Sequence, residues 1–294
     1  MLGQLSCRCI CVVVLLPLLA RAGEVHSARD LEQFKESIAS FVFDSPLGNT
    51  APPITVWYYR PDKVEPATRV VFLMHGSSRT GKEARNLGLP FAKTHGFILI
   101  APEFSEKQYP NDSYAFGNMV GPDSKLLPKS VWAFTTIERV FDIVRSEFHL
   151  TAETYDIVGH SAGGQLVHRL VLFAPQQRFR RAVASSPGRY ALPTPAENFP
   201  YGFKGTSLNS GLAKALSRDF VLVLGDRDIV DRERERAAMN QGANRFARGL
   251  RFFATAAEEA NRLNVQLCWR LQILHGADHS PGPAVQAALE ELMR

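Results

Sequence analysis

The sequence predicts an α/β protein with a mostly parallel central sheet that is covered by helices on both faces. Short β-rich runs alternate with helical patterns along most of the 294 residues, as they do in proteins built from strand–helix–strand units. Several β-rich runs are continuously apolar, which is typical of strands buried on both faces. The composition, 45% hydrophobic and 21% charged, is that of a globular protein and excludes wholesale disorder.

The predicted strands are short β-rich runs, and they lie at residues 54–59, 69–74, 97–101, 155–158, 181–184, 220–224 and 269–274. The predicted helices carry apolar residues at helical spacing, and they lie at residues 30–40, 82–93, 131–147, 163–173, 231–246, 250–263 and 283–293. No linker divides this series, so we expect a single domain over residues 23–294.

The first 22 residues have the pattern of a secretory signal peptide. Arg8 precedes an apolar run at residues 9–20, and Ala20-Arg21-Ala22 then forms an A-x-A cleavage pattern. The run is too short to span a bilayer comfortably, although an uncleaved anchor is the alternative. We therefore expect a secreted or periplasmic protein with no stable membrane insertion after cleavage.

Removal of residues 1–22 changes the charge and the cysteine content of the chain. It takes away Arg8 and Arg21 but no acidic residue, which lowers the formal net charge from +5 to +3. A charge this small does not favour a nucleic-acid partner. Three of the four cysteines lie in the removed segment, so Cys268 remains alone and cannot form an internal disulfide.

The motif G-x-S-x-G at residues 159–163 is the strongest chemical signal in the chain. It follows the apolar strand predicted at 155–158 and opens a helical pattern, which places Ser161 on a sharp strand-to-helix turn. Glycines on both sides permit that turn and close packing of the helix. The backbone N–H of Ala162, at the start of the helix, is then a candidate donor to an oxyanion. The alternative is a glycine-rich structural turn.

A nucleophilic serine needs a base and an orienting carboxylate, and both have candidates after later strands. His279 follows the last predicted strand and is the preferred base, with His275 as its competitor. Asp228 is the preferred acid and Asp226 the second choice, since both follow the strand at 220–224. His275 and His279 also form an H-x-x-x-H pair, but it lacks the glutamate and the helix of a zinc motif.

The loop after the strand at 69–74 begins with His-Gly, which indicates a second oxyanion donor. The backbone N–H of Ser77 is the first candidate and that of Ser78 the second. Residues 76–82 also match the phosphate-binding pattern G-x-x-x-x-G-K. Glu83 stands where that motif requires Ser or Thr to hold Mg²⁺, so nucleotide hydrolysis is disfavoured.

Over roughly residues 54–294 the chain resembles serine hydrolases of the α/β-hydrolase superfamily, in a branch similar to bacterial esterases, lipases and polyester depolymerases. The resemblance lies in the segments MHGSSRTG (74–81), APEF (101–104), GHSAGG (159–164), FPYG (199–202), QGANRFARG (241–249) and WRLQILHGADHS (269–280). It implies an α/β-hydrolase fold, Ser161 as nucleophile, Asp228 as acid, His279 as base, and neither metal nor cofactor. The sequence departs from many relatives at HGSS, where HGGG is common, and at Asp278, where Gly is common.

These observations predict a secreted serine hydrolase that cleaves carboxylic esters, in a small molecule or a polymer, through an acyl-enzyme intermediate. The chain order Ser, Asp, His is that of α/β-hydrolases. Cleavage of amides or peptides by the same triad is the first alternative. A non-catalytic binding protein on the same fold is the second, since fold alone does not determine function.

Two long connections, at about residues 102–130 and 185–209, interrupt the alternation of strands and helices. Connections of this length are usually functional or disordered, and the aromatic residues here favour packing. We expect them to form a short loop-like lid and an aromatic, partly apolar substrate pocket, with core packing beneath the loops as the alternative. The candidate pocket residues are Tyr109, Tyr114, Phe116, Tyr190, Phe199 and Tyr201.

Overall fold

The computed structural model describes residues 34, 36–44, 46–48, 51–123, 125–230, 233 and 235–294. The signal peptide expected at residues 1–22 lies outside the described residues, as does the start of the domain predicted from residue 23. None of the helices in the described part of the chain is both long enough and apolar enough to cross a membrane.

The described chain forms an eight-stranded sheet in the order β1-β2-β4-β3-β5-β6-β7-β8. The strands are β1 (Ile38–Phe43), β2 (Ile54–Tyr59), β3 (Val70–Met74), β4 (Ile98–Glu103), β5 (Tyr155–His160), β6 (Phe179–Ser185), β7 (Phe220–Gly225) and β8 (Trp269–Leu274). β2 pairs antiparallel with β1 and β4, whereas the six strands from β4 to β8 in this order are parallel. All residues of β3, β5 and β7 are buried, as the continuous apolar runs of β3 and β7 predict.

Helices cover both faces of the sheet, which confirms the predicted fold class. The α-helices are α1 (Gly81–His95), α2 (Ala133–Glu147), α3 (Ala162–Phe173), α4 (Leu212–Leu216), α5 (Arg236–Met239), α6 (Arg245–Leu263) and α7 (Pro281–Glu290), with short 3₁₀ helices at Lys129–Val131 and Leu208–Gly211. Residues of α1 and α7 share one apolar core with the sheet. Residues of α2, α3, α4 and α6 share the other, larger core. Apolar burial on both faces therefore holds the parallel strands in place.

The helix predicted at residues 30–40 is wrong at its C-terminal end. Residues 38–40 belong to β1, which pairs along its whole length with β2, from Ile38 opposite Tyr59 to Phe43 opposite Ile54. The segment IASFVF is rich in β-branched and aromatic residues, and Phe41 packs into the larger core. Pairing with the exposed edge of β2 satisfies backbone groups that an isolated helix end would leave to water.

The helix predicted at residues 231–246 is also wrong, because its described part contains two helices and a break. α5 is a single turn, and α6 begins at Arg245 after Asn244, whose side chain accepts a hydrogen bond from the N–H of Ala247. This N-cap starts a new helix, which runs without interruption through the gap expected between 246 and 250. Gly249 lies inside α6, and a Cβ there would come within 2.9 Å of the Tyr190 hydroxyl.

Candidate active site

Ser161 lies on a strained turn between the end of β5 and the start of α3. Its backbone has φ 55° and ψ −113°, a left-handed conformation that non-glycine residues rarely adopt. The turn requires glycine on both sides. A Cβ on Gly159 would overlap the Gly163 carbonyl oxygen, and one on Gly163 would overlap that of Met74. The geometry therefore presents the Ser161 side chain at the carboxyl end of the sheet, as the motif predicts.

Three predicted residues, far apart in the sequence, meet at this edge. The Nε2 atom of His279 lies 3.0 Å from Ser161 Oγ, and its Nδ1 atom lies 2.7 Å from Asp228 Oδ2. The carboxylate can only accept a hydrogen bond, so it places the imidazole proton on Nδ1. Nε2 is then free to accept the proton of the Ser161 hydroxyl.

Asp226 and His275, the second choices for acid and base, contact each other. They take no part in this chain of hydrogen bonds. Asp226 Oδ2 lies 3.0 Å from His275 Nδ1, and its other oxygen accepts from the N–H of Gly276. The His275 side chain is 88% exposed, whereas that of Asp228 is 3% exposed. The structure thus separates the aspartates, which the sequence leaves as alternatives, into an exposed surface pair and a buried partner of His279.

Asp228 stays ionised in this buried position because His279 and Arg245 stabilise its carboxylate. Burial raises the pKa of Asp228, but the hydrogen bond from His279 and the charges of His279 and Arg245 outweigh that effect and leave the pKa below its ordinary value. Arg245 Nη1 lies 3.1 Å from Asp228 Oδ1. Sequence reasoning missed Arg245, although it lies in the segment QGANRFARG that carries part of the family resemblance.

The loop at residues 75–80, between β3 and α1, lies against the serine. Its turn is closed by the N–H of Arg79, which donates to the carbonyl of Gly76 at 3.1 Å. Ser77 and Ser78, between them, line the cavity beside Ser161. Among the described residues, no backbone carbonyl accepts from the N–H of Ser77 or Ser78. The N–H of Ala162, at the first position of α3, also has no partner within its helix.

His75 and Arg79 tie the 75–80 loop to the first insertion, which we define as residues 104–128. The N–H of Phe104 donates to His75 Nε2 at 3.0 Å, which places the ring proton on Nδ1, 3.1 Å from the Gly76 carbonyl. The Arg79 guanidinium donates to the carbonyls of Phe104 and Tyr109. These contacts fix the 75–80 loop against the first insertion. Sequence reasoning missed this role of His75 and of Arg79.

A cavity of about 240 Å³ opens beside Ser161, between the 75–80 loop and the first two turns of α1 and α7. Its wall is mainly apolar away from the serine, with Glu83 as a carboxylate on the α1 side. The lining residues that sequence reasoning missed are Leu73, Met74, Thr80, Glu83, Ala84, Leu87, Pro281 and Val285. A sequence signal exists for two of these residues. Ala84 and Leu87 are three residues apart in the helix that follows the His-Gly loop, so they lie on the same face of it.

The six aromatic residues predicted to line the substrate pocket do not line this cavity. The prediction is wrong for Tyr109, Tyr114 and Tyr190, which are at most 1% exposed and belong to the larger core. Phe116 packs edge-on against Tyr201, and Phe199 packs against Phe173. Phe199 and Tyr201 line a separate, more polar cavity of about 260 Å³. Burial of their apolar rings stabilises the first insertion and the connection at residues 186–207, which pack against the larger core.

His160 packs beside the elbow, with its ring centre 5.0 Å from that of His279. The pKa of His160 is lowered to about 4, chiefly by burial. The neighbouring His279 lowers this pKa and Asp228 raises it, and the effect of His279 is the larger of the two. His160 is therefore neutral at pH 7 and adds no charge beside His279. Within the described ranges, no group of three or more His, Cys, Asp or Glu side chains is placed to hold a metal ion.

Comparison with known proteins shows the relationship of this chain to hydrolases of solved structure. Poly(aspartic acid) hydrolase-1 from Sphingomonas sp. KT-1 is 35% identical, with a TM-score of 0.84 over 88% of this chain and 100% of that one. The poly(3-hydroxybutyrate) depolymerase LpqC from Bordetella parapertussis is 29% identical, with a TM-score of 0.85 over 90% and 92%. An S-formylglutathione hydrolase from Agrobacterium tumefaciens shares the fold at 15% identity, with a TM-score of 0.58 over 87% and 93%.

Neither the protein-family models nor the curated proteins yield a match to this sequence. The identity and coverage of the structural relatives, together with the sheet order and the elbow geometry, are sufficient to assign the family. The chain belongs to the α/β-hydrolase superfamily, in the branch that includes these two polymer-degrading hydrolases, and it is a serine hydrolase.

Proposed function

We propose that this protein hydrolyses carboxylic esters with Ser161 as nucleophile, His279 as general base and Asp228 as the orienting acid. One observation carries the proposal. A continuous chain of hydrogen bonds runs from Ser161 Oγ through both nitrogens of His279 to Asp228 Oδ2, with distances of 3.0 and 2.7 Å. This is the arrangement that activates a serine hydroxyl at neutral pH.

In the first half of the reaction, Ser161 Oγ bonds to the acyl carbon while its proton passes to His279 Nε2. The tetrahedral intermediate then expels the alcohol, which leaves with that proton. In the second half, water loses a proton to His279 and attacks the acyl-enzyme. Collapse releases the carboxylic acid and returns the proton to Ser161, so the enzyme is regenerated.

The oxyanion of both intermediates would be bound by the N–H groups of Ala162 and Ser77, with Ser78 as the second choice. The carbonyl of the Gly76–Ser77 peptide faces two donors, the N–H of Arg79 and Nδ1 of His75. Because the peptide is planar and trans, its N–H points in the opposite direction from that carbonyl. This orientation keeps the Ser77 N–H available to a ligand in the cavity.

The substrate is an ester whose acyl part can enter the mainly apolar cavity between α1 and α7. One relative is named as a depolymerase of poly(3-hydroxybutyrate), which is a polyester. The relative with 35% identity is named as a hydrolase of poly(aspartic acid), which is a polyamide. Amide cleavage is therefore the second candidate function. Both relatives are named for polymers, so polymeric as well as small substrates belong in the test.

Active-site labelling of the protein comprising residues 23–294 with a fluorophosphonate tests the proposal. We expect labelling of the wild type, none of Ser161→Ala and greatly reduced labelling of His279→Ala. A panel of p-nitrophenyl esters, poly(3-hydroxybutyrate) and poly(aspartic acid) then compares ester with amide cleavage. Well-folded wild type that is neither labelled nor active would rule out the proposed triad and favour the non-catalytic alternative, for which binding would survive Ser161→Ala.

We further propose that the protein is exported and cleaved after Ala22. The proposal rests on the apolar run and the A-x-A pattern in the first 22 residues. Expression of the full chain in a bacterium with an intact secretion system, followed by fractionation and N-terminal sequencing, tests it. Product in the periplasm or the medium that begins at Gly23 is the expected result. A cytoplasmic product that retains residues 1–22 would contradict it.

A further inference from the structure

Arg245 occupies a position in α6 that is unfavourable for a cation. It is the first residue of the helix, where the unpaired N–H groups concentrate partial positive charge. Its guanidinium is compensated by two acceptors. Nη1 lies 3.1 Å from Asp228 Oδ1 and donates to the carbonyl of Val230 at 2.8 Å. The Arg245 side chain therefore bridges the carboxylate and the backbone just beyond it.

The same helix start also holds the backbone of Asp228. The N–H of Phe246 donates to the Asp228 carbonyl at 3.4 Å, so the first turn of α6 contacts both the main chain and the side chain of the acid. The two carboxylate oxygens then have separate partners. Oδ1 faces Arg245, and Oδ2 faces His279. Rotation of the carboxylate would break both contacts, so Arg245 limits it to one orientation.

The groups around Asp228 and His279 come from several elements. His279 faces Ser161, Asp228 and the ring of His160, and Asp278 precedes it in the chain. The Asp278 carboxylate accepts from the N–H of Ser280 and is exposed. On the second insertion (residues 186–207), Tyr190 is the buried titratable group that interacts with Asp228. In the described part of the chain, Asp228 forms ion pairs with Arg245 and His279. Of these two partners, Arg245 is the one that is permanently charged.

We propose that Arg245 is a positioning residue of the triad, which orients the Asp228 carboxylate and offsets part of its negative charge. The inference rests on the proposed function of Ser161, His279 and Asp228. A carboxylate whose charge is partly offset stabilises a protonated imidazole less strongly. We therefore expect the enzyme to keep its activity to a lower pH than it would without Arg245.

The test is the pH dependence of kcat/KM for a small p-nitrophenyl ester in Arg245→Gln. Without the cation the negative charge of Asp228 is no longer partly offset, so we expect the acid limb of the activity profile to move to higher pH by about 0.5–1 unit. Loss of the fixed carboxylate orientation lowers kcat by about 10-fold. A variant whose acid limb and kcat match those of the wild type would overturn the inference.

Arg251→Gln is the matched control, since it removes the same charge from the same helix. Arg251 pairs with Glu197 at 3.8 Å and donates to the carbonyl of Asn240, without contact to Asp228. Its acid limb should coincide with that of the wild type. An equal shift in Arg251→Gln and Arg245→Gln would show a general charge effect and would also overturn the inference.

Arg245→Lys separates charge from geometry and covers the case in which the Gln variant does not fold. The Lys ammonium keeps the charge but is a compact group on a flexible stem, so it fixes the carboxylate less rigidly than the planar guanidinium does. We expect an unchanged acid limb with kcat about threefold lower, and an unchanged kcat would contradict positioning. Failure of the proposed function looks different, because wild-type protein would then show neither turnover nor Ser161-dependent fluorophosphonate labelling.

Discussion

The Nε2 atom of His168, on α3, accepts a hydrogen bond of 3.0 Å from the backbone N–H of Ala191 in the second insertion. The Nδ1 atom of the same ring lies 3.0 Å from the Gly164 carbonyl, so the proton resides there. His75 and Phe104 repeat this relationship at the first insertion. Each insertion is thus attached to the sheet and its helices through a buried, neutral imidazole.

These buried imidazoles predict that the protein loses stability on mild acidification. Burial lowers the pKa of His75 to about 3 and that of His160 to about 4, and it holds the pKa of His168 well below its usual value. In the unfolded chain the same groups take up protons near pH 6.5. The unfolded state therefore binds more protons between about pH 6.5 and 4, and stability falls as the pH falls through that window.

The expected slope is about 1.4 kcal/mol per pH unit for each such histidine, or up to about 4 kcal/mol per unit for the three together. Urea unfolding at pH 7.5, 6.0 and 5.0 measures it. His168→Gln keeps a buried amide at this position and should reduce the slope by about one histidine's share. A free energy of unfolding that stays constant from pH 7.5 to 5.0 would contradict the prediction.

Asp228→Asn should abolish most of the activity, whereas Asp226→Asn should not. An amide in place of the Asp228 carboxylate can donate to His279 Nδ1 and so favours the wrong tautomer, which lowers kcat by about 10⁴-fold. Asp226 forms an exposed pair with His275, and its neutralisation should change kcat by less than about threefold. Steady-state kinetics on one chromogenic ester compare the two variants. Equal losses in both would contradict the assignment of Asp228.

Gly163→Ala should destabilise the elbow severely. A Cβ on Gly163 would overlap the Met74 carbonyl oxygen and lie 2.7 Å from that of His75, so β3 and α3 would have to separate. We expect a loss of about 3 kcal/mol or more in the free energy of unfolding, or insoluble protein. Gly282→Ala, in the first turn of α7, is the control. Apart from its chain neighbours and the backbone of its own helix, no atom lies within 4 Å of its added Cβ, and stability should change by less than about 1 kcal/mol. Similar stability of the two variants would be inconsistent with this packing.

Tyr114→Phe should reduce kcat with little change in KM. The Tyr114 hydroxyl donates to the His75 carbonyl at 2.7 Å, and its ring stacks on the His75 ring, so it supports the 75–80 loop from the first insertion. Loss of this hydrogen bond leaves a buried carbonyl unpaired and loosens the proposed oxyanion donor, which lowers kcat by about 10-fold. Tyr109→Phe is matched in chemistry, because the Tyr109 hydroxyl donates to the Pro52 carbonyl instead.

The two tyrosine variants separate stability from catalysis. Both remove a hydroxyl from a buried ring and should lower the free energy of unfolding by about 1–2 kcal/mol. Only Tyr114→Phe should lower kcat. Thermal melts and saturation kinetics on both variants make the comparison, and an equal fall of kcat in the two would show that the effect is one of general packing.

The family and the position of the elbow follow from local patterns in the sequence. Continuous apolar runs predicted the parallel strands, since strands buried on both faces cannot carry alternating polar residues. The turn around Ser161 is predictable for a similar reason. Only glycine fits at residues 159 and 163, and that requirement is visible as G-x-S-x-G. The same local reasoning failed at residues 38–40, where pairing with β2 overrode the helical pattern.

Only the tertiary structure decided between residues that are equivalent in the sequence. Asp226 and Asp228 follow the same strand two residues apart, and the contact of Asp228 with His279 depends on β8, α7 and the start of α6. The aromatic residues of the insertions are as suited to a pocket as to a core, and Tyr114 and Tyr190 were placed in the core by what they pack against. Hydrophobic periodicity and turn chemistry act over a few residues and can be read from the sequence. The relative positions of side chains 50 to 120 residues apart depend on how whole layers pack, which the sequence pattern alone does not contain.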